Sequence, residues 1–385
     1  LVMGNMHASL FCDEILMKGY ADVIVHREGE ATMVDLVAAI ERGNDLGCVA
    51  GISFLEGGRV NNTPSRLHLE DLDSLPYPAW DLFPLEEYKT DPRSAINRGG
   101  RETHIQILAT RGCPSQCTFC SSRTERSLGA KYRMRDPRMI VDEMVFMNNM
   151  YGANVFGFMD LSFPLVKAHA MAVCDELLRR GLEKTVRWVT ECRVRPLDEE
   201  LLAQMKRAGC VRLYFGIESG NDATLRRIKK GFNREHVKRA VEIANKVGLE
   251  VDAMFMLGLP GETEEVIRQT IEFSVELKVR YAIFNLFVPY PGCELWDELQ
   301  GQGKITYRSW KEFTSYPTYS GGMPVYVPDG LSKESLMALQ SEAMKRFYVR
   351  PRFIWGEITR FRLKKIPAYM EGLRGVLARR ETSNT

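Results

Sequence analysis

The chain has 385 residues, of which 45% are hydrophobic and 26% charged, as in a soluble globular protein large enough for two or three domains. Its net charge of +2 gives no overall positive field, so no nucleic-acid partner is expected. No apolar run reaches the roughly 18 residues of a membrane span. Six of the nine cysteines are scattered singly, which argues against a disulfide framework and favours a reducing cytoplasm.

A short α/β segment opens the chain. Apolar runs at 22–25 and 49–55 predict strands, and the helical spacing between them predicts a helix at 30–41. Residues 62–100 are rich in Pro, Asp and Ser, which is typical of a linker. Because the chain begins with Leu1 on an apolar run, we expect this segment to be the end of a longer domain.

Six strand–helix units follow in series. Helix starts are marked by capping residues such as Asp136, Asp198 and Asn233. A series of this kind indicates a parallel sheet with right-handed crossovers, and six units are too few for a closed eight-fold barrel. The fold class is therefore α/β, with a partial (β/α)6 barrel. The strands are predicted at 104–110, 154–159, 186–190, 211–217, 251–256 and 281–288.

Three cysteines follow the first of these strands with the spacing C-x3-C-x2-C, at Cys113, Cys117 and Cys120. Structural zinc sites are closed by four ligands, and an ordinary [4Fe–4S] carrier also uses four cysteines. Three thiolates leave one iron open, as a substrate-binding [4Fe–4S] cluster requires. The alternatives are zinc with a distant fourth ligand such as His104, and a chance loop that binds no metal.

The segment at 110–120 resembles the signature of the radical S-adenosylmethionine (SAM) superfamily. Residues 216–220 resemble its fourth-strand motif, and residues 258–262 resemble the turn after its fifth strand. Without the resemblance, Glu218 would be read as a solvated carboxylate at a strand end, and 258–261 as an ordinary strand-to-helix turn. Many members carry Gly-Gly-Glu after the second strand, where this chain has Met159-Asp160-Leu161. The resemblance implies SAM contacts from Phe119, Asp160, Glu218, Ser219, Gly258 and Pro260.

Residues 4–9 and 22–30 resemble the second half of the cobalamin-binding domain that some members carry. Arg27-Glu28-Gly29-Glu30 departs from the usual Gly-Glu-Gly-Glu at its first position. The resemblance implies part of a Rossmann-like cobalamin domain, with cobalamin near Glu28, Gly29 and Glu30. The expected organisation is 1–85 for this domain and linker, 86–295 for the radical SAM core, and 296–385 for a helical region.

The resemblance implies reductive cleavage of SAM, followed by cobalamin-dependent methylation or cyclisation of a lipid, tetrapyrrole or natural product. It implies a small-molecule or lipid-like substrate and an electron donor such as flavodoxin or ferredoxin. No motif identifies a catalytic residue that acts on the substrate. The alternatives are a non-catalytic iron–sulfur electron carrier or sensor and an RNA-modifying radical SAM enzyme.

The end of the chain is strongly basic. From residue 345 to residue 380 there are eleven Lys or Arg residues and two acidic residues, interleaved with aromatic side chains. Such a segment suits the surface of an anionic bilayer, so peripheral membrane contact is one expectation. A helical face packed by its aromatic residues against the barrel is the other.

Overall fold

The structure is a computed structural model that describes residues 1–85, 102–127 and 131–359. Its N-terminal unit carries a four-stranded mixed sheet in the order β1-β2-β3-β4. The first two strands pair in parallel with two helices between them, and the last two pairings are antiparallel. The elements are β1 (Val2–Met3), α1 (Asn5–Leu10), α2 (Cys12–Met17), β2 (Val23–Val25), α3 (Glu30–Arg42), β3 (Ile52–Glu56) and β4 (Arg59–Asn62).

The second part is built on a six-stranded sheet that includes β5, β8, β9, β10, β11 and β12. β6 and β7 form a separate two-stranded antiparallel sheet, the β6–β7 hairpin, whose strands are joined by the long segment 112–132. The elements are β5 (His104–Ile107), β6 (Thr110–Arg111), α4 (Ser122–Ser127), β7 (Arg133–Met134), α5 (Pro137–Tyr151), β8 (Val155–Phe158), α6 (Lys167–Arg179), β9 (Arg187–Cys192), α7 (Glu199–Arg207), β10 (Cys210–Glu218), α8 (Asp222–Arg227), α9 (Arg234–Lys246), β11 (Glu250–Leu257), α10 (Glu264–Glu276) and β12 (Tyr281–Leu286).

All five pairings in the large sheet are parallel, and the spatial order of the strands follows the chain. The predicted (β/α)6 arrangement is thus confirmed. Because the strands are parallel, all their carboxyl ends lie on one edge, and the loops that follow them meet there. That edge holds the cysteine loop and the other predicted site segments.

The barrel core is dense with large aromatic side chains. Phe215, Phe255 and Phe284 lie on neighbouring strands and are fully buried, and the rings of Phe255 and Phe284 stack at a centroid distance of 5.4 Å. Burying one such side chain contributes about 1.5–3 kcal/mol. This core gives the edge loops a rigid support.

Up to residue 359, where the described residues end, four α-helices follow the barrel: α11 (Glu294–Gly301), α12 (Pro317–Ser320), α13 (Lys333–Tyr348) and α14 (Pro351–Thr359). The Phe347 ring is buried, and the Tyr348 hydroxyl donates to the Ala282 carbonyl of β12 at 2.7 Å. The beginning of the basic segment therefore packs on the barrel, while residues 360–380 lie outside the described residues. No helix in the described part of the chain is long and apolar enough to cross a membrane.

Candidate functional site

The cysteine loop is fastened to the carboxyl edge of the sheet from two sides. The Thr118 amide donates to the Ile228 carbonyl at 3.1 Å, and the Leu295 amide at the start of α11 donates to the Thr118 carbonyl at 3.0 Å. Cys117 is buried, whereas Cys113 and Cys120 are partly exposed. All three lie on one loop at the edge where the sequence places them, and none of them forms a disulfide.

The chemistry of this loop fits an iron–sulfur cluster. Arg193, directly after β9, places Nη1 at 3.4 Å from the Cys117 sulfur, so a cationic N–H donor lies beside a sulfur that would ligate iron. Within 1–85, 102–127 and 131–359, no three His, Cys, Asp or Glu side chains are grouped closely enough to hold a metal ion. The three loop sulfurs are therefore not placed together as metal ligands in this structure. Metal ligation and local folding are coupled, so the sequence spacing and the cationic neighbour are the evidence for the ligands.

A buried ion pair lies beside the loop. Glu218 ends β10 at a bulge with φ of 71°, and its Oε1 accepts from the Lys230 ammonium at 2.7 Å. The two residues are 9% and 6% exposed, and Lys230 Nζ lies 5.4 Å from the centre of the Phe119 ring. Two predicted SAM contacts, Phe119 and Glu218, are therefore brought together by a lysine that the sequence analysis did not identify.

A second buried carboxylate joins two more of the predicted segments. Glu262 is 1% exposed, and its Oε2 accepts from the amides of Gly258 and Leu259 at 2.9 and 3.0 Å. Its Oε1 accepts from the Ser219 hydroxyl at 3.3 Å. Burial raises the pKa of Glu262 to about 7, against the lowering effect of these hydrogen bonds. Glu262 thus fixes Ser219 relative to the turn that contains Gly258 and Pro260.

Comparison with known proteins identifies the family of the chain. The sequence model of the radical SAM superfamily matches residues 107–274. An uncharacterized methyltransferase of Pyrococcus horikoshii is 31% identical over 360 residues, which cover 93% of this chain and 74% of that protein. The chain belongs to the radical SAM superfamily. Membership implies a [4Fe–4S] cluster and SAM as its cofactors, and a radical SAM enzyme as its class.

Two further similarities extend beyond the radical SAM core. The anaerobic magnesium-protoporphyrin IX monomethyl ester cyclase of Cereibacter sphaeroides is 28% identical over 355 residues, which cover 91% of this chain and 55% of that protein. The structure of the radical SAM methyltransferase TsrM from Kitasatospora setae, with cobalamin and a [4Fe–4S] cluster bound, is similar with a TM-score of 0.67 and 20% identity. That alignment covers 89% of this chain and 72% of TsrM, and it shows a shared fold.

In this radical SAM enzyme, Asp160 is hydrogen-bonded to the segment that leads into the cysteine loop. Its carboxylate is buried and accepts from the Thr110 hydroxyl at 2.5 Å and from the Ala109 amide at 3.2 Å. Burial raises its pKa, against the effect of those bonds. The structure therefore gives Asp160 a role in holding residues 109–110, and its contact with SAM stays a prediction.

The predicted cobalamin residues lie where the N-terminal unit meets the core. The Glu28 carboxylate accepts from Arg133 at 2.8 and 3.0 Å and from the Leu69 amide at 2.9 Å. Arg111 contacts Glu28 at 3.3 Å and Glu30 at 2.5 Å. Burial raises the pKa of Glu28, but the hydrogen bonds and the charges of both arginines outweigh burial and lower it to about 2.

Sequence reasoning missed the cations of this site. Lys230 lies 12 positions after Glu218 and Arg193 lies 76 positions after Cys117, so only the folded chain brings each cation to its partner. The one local signal was Lys230 followed by Gly231, a short turn after α8 with φ of 78° at the glycine. Glu262 was part of a recognised motif, and its burial could not be read from the motif.

Proposed function

We propose that this enzyme binds a [4Fe–4S] cluster through Cys113, Cys117 and Cys120 and cleaves SAM reductively. The observation that supports this best is the position of the three-cysteine loop. It lies directly against the Glu218–Lys230 pair, at the edge where the loops after parallel strands meet. The SAM-binding residues that we propose are Phe119, Asp160, Glu218, Ser219, Gly258 and Pro260.

The chain's own residues would bind and orient SAM. When bound, a reduced cluster supplies the electron that breaks the sulfonium bond, giving methionine and a 5′-deoxyadenosyl radical. The Glu218 carboxylate offers strong hydrogen bonds to a cationic or hydroxyl-rich ligand, and its bond to the Lys230 ammonium holds it in position. Glu262 holds the 258–261 turn in place before the ligand arrives.

We further propose that residues 1–85 contribute to a cobalamin site, with 86–295 as the radical SAM core and 296–385 as the helical region. The resemblance of residues 4–9 and 22–30 supports this, as does the fold shared with TsrM, whose structure contains cobalamin. Since arginines of the core engage the carboxylates of Glu28 and Glu30, the turn with Gly29 would meet cobalamin mainly through its backbone. Cobalamin would supply a methyl group.

The reaction that we propose is methylation or cyclisation of a small-molecule or lipid-like substrate. The relatives are named as a methyltransferase and as a magnesium-protoporphyrin ester cyclase. This chain spans 74% of the Pyrococcus horikoshii methyltransferase and 55% of the Cereibacter sphaeroides cyclase. Flavodoxin or ferredoxin would supply the electron, in a reducing compartment that suits nine cysteines without a disulfide. The basic segment at 345–380 would allow peripheral contact with an anionic membrane.

The test is anaerobic reconstitution of the chain with iron and sulfide, followed by dithionite and SAM. We expect methionine and 5′-deoxyadenosine by mass spectrometry, and neither product from the variant with Ala at all three loop cysteines. A reconstituted cluster that leaves SAM intact would favour an electron carrier or sensor. Absorbance titration with hydroxocobalamin tests the second cofactor separately. An unchanged cobalamin spectrum, with no cobalamin eluting together with the protein on gel filtration, would contradict the proposed cobalamin site.

A further inference from the structure

The Glu28 carboxylate is a contact between the two parts of the chain. Its side chain is 18% exposed, and it lies in the turn between β2 and α3 of the N-terminal unit. Both oxygens accept hydrogen bonds from Arg133, and one oxygen also accepts from the Leu69 amide. A half-buried carboxylate with this many donors is fixed in position.

Both arginines that reach Glu28 belong to one small hairpin. β6 and β7 are antiparallel, and Arg111 lies directly opposite Arg133 in their register. Like charges directly opposite each other destabilise a strand pair. Glu28 accepts from both guanidinium groups and so compensates this repulsion. The hairpin therefore depends on a carboxylate from outside it.

The hairpin leads directly into the cysteine loop. Gly112 follows Arg111 with φ of 86°, and a Cβ there would lie 2.7 Å from the Lys131 carbonyl oxygen, so the two chain segments are in close contact. Cys113 is the next residue. No flexible spacer separates Arg111 from the first cysteine, and a shift of the hairpin would therefore move Cys113.

We propose that Glu28 is a positioning residue for the cysteine loop: from the N-terminal unit it closes the β6–β7 hairpin and so fixes Cys113. This inference goes beyond the proposed function, and it holds whether or not cobalamin binds. It gives the N-terminal unit a direct mechanical link to the first cysteine of the loop.

The test uses the apo chain, so it does not depend on SAM cleavage. Glu28→Gln keeps the shape of the side chain and removes its charge. We expect alkylation of Cys113 by iodoacetamide, followed by mass spectrometry, to be about tenfold faster, because a charge-assisted contact has been lost. Hydrogen exchange of the amides at 110–113 should accelerate with it.

Two controls make the result specific. Glu30→Gln removes a 41%-exposed partner of Arg111 and leaves Arg133 paired, so we expect little change in Cys113 alkylation. Adding Arg133→Gln to Glu28→Gln removes the repulsion within the hairpin, and the double variant should return towards the wild-type rate.

Three results would overturn the inference. Wild-type alkylation in Glu28→Gln would show that the hairpin does not need the carboxylate. Equal acceleration at Cys12, a partly buried cysteine of α2 in the N-terminal unit, would show that the variant has simply unfolded that unit. A double variant no slower than the single variant would show that repulsion between the arginines is not the cause.

Discussion

Replacing Glu262 by glutamine should remove a pH dependence from the stability of the protein. The Glu262 side chain is 1% exposed, and burial raises its pKa from an ordinary value of 4.5 to about 7. The folded protein therefore holds this proton more tightly than the unfolded chain does. Between pH 4.5 and 7 the folded state binds more protons, so its free energy of unfolding decreases as the pH rises through this range.

The size of the effect follows from the difference in pKa. One pKa unit corresponds to about 1.36 kcal/mol, so the contribution present below pH 4.5 and lost above pH 7 is on the order of 3 kcal/mol. Glutamine does not ionise. Its amide oxygen can accept from the Gly258 and Leu259 amides as the carboxylate does, so the fold of the turn should be kept.

The assay is urea unfolding of the wild-type chain and the Glu262→Gln variant at pH 5, 6, 7 and 8. Other titrating groups cancel in the difference between the two free energies. We expect the free energy of unfolding of the variant, relative to that of the wild type, to increase by about 2–3 kcal/mol from pH 5 to pH 8. Glu265→Gln, at an exposed position in the first turn of α10, is the matched control and should give a constant difference. If the free energies of unfolding of the wild type and of Glu262→Gln changed equally with pH, the reasoning would be refuted.

The remaining predictions concern the cofactors. Substituting Cys113, Cys117 and Cys120 together by Ala should abolish the binding of about four irons and four sulfides per chain, measured chemically, and a variant that keeps them would contradict the assignment. Glu218→Gln should weaken SAM binding about ten- to a hundredfold by calorimetry, because a charge-assisted hydrogen bond is lost. Lys230→Met should also weaken SAM binding. Because Glu218 and Lys230 form one pair, the double variant should lose less binding free energy than the two single variants added together. Additive losses of binding free energy would show that the two residues act separately.

Much of the fold could be predicted from local signals. Buried parallel strands are continuous apolar runs, and the six runs found in the sequence became the six parallel strands. Helix starts were equally local: the side chains of Asp136, Asp198 and Asn233 each accept from a backbone amide in the first turn of the following helix. The short strand β4 was missed, since residues 59–62 carry one strongly apolar side chain, Val60.

The candidate site was predictable only where its signal lay within one segment. Three cysteines within eight residues form such a signal, and so does the turn at 258–261. The contacts of Lys230 with Glu218 and of Arg193 with Cys117 join residues that are 12 and 76 positions apart. No periodicity or propensity encodes a contact of this kind, because it exists only once the strands are paired in register.

The cationic groups around the cysteine loop also explain why this loop suits anionic sulfur ligands. Lys230 shares its charge with Glu218, whereas Arg193 directs its two guanidinium nitrogens to the Cys117 sulfur and to the Lys230 carbonyl. N–H groups that donate to a cluster sulfur stabilise its reduced, more negative state and so raise its reduction potential. With a cluster bound at Cys117, Arg193 would therefore favour electron uptake, and it would do so from directly after β9, an element fixed by the barrel core.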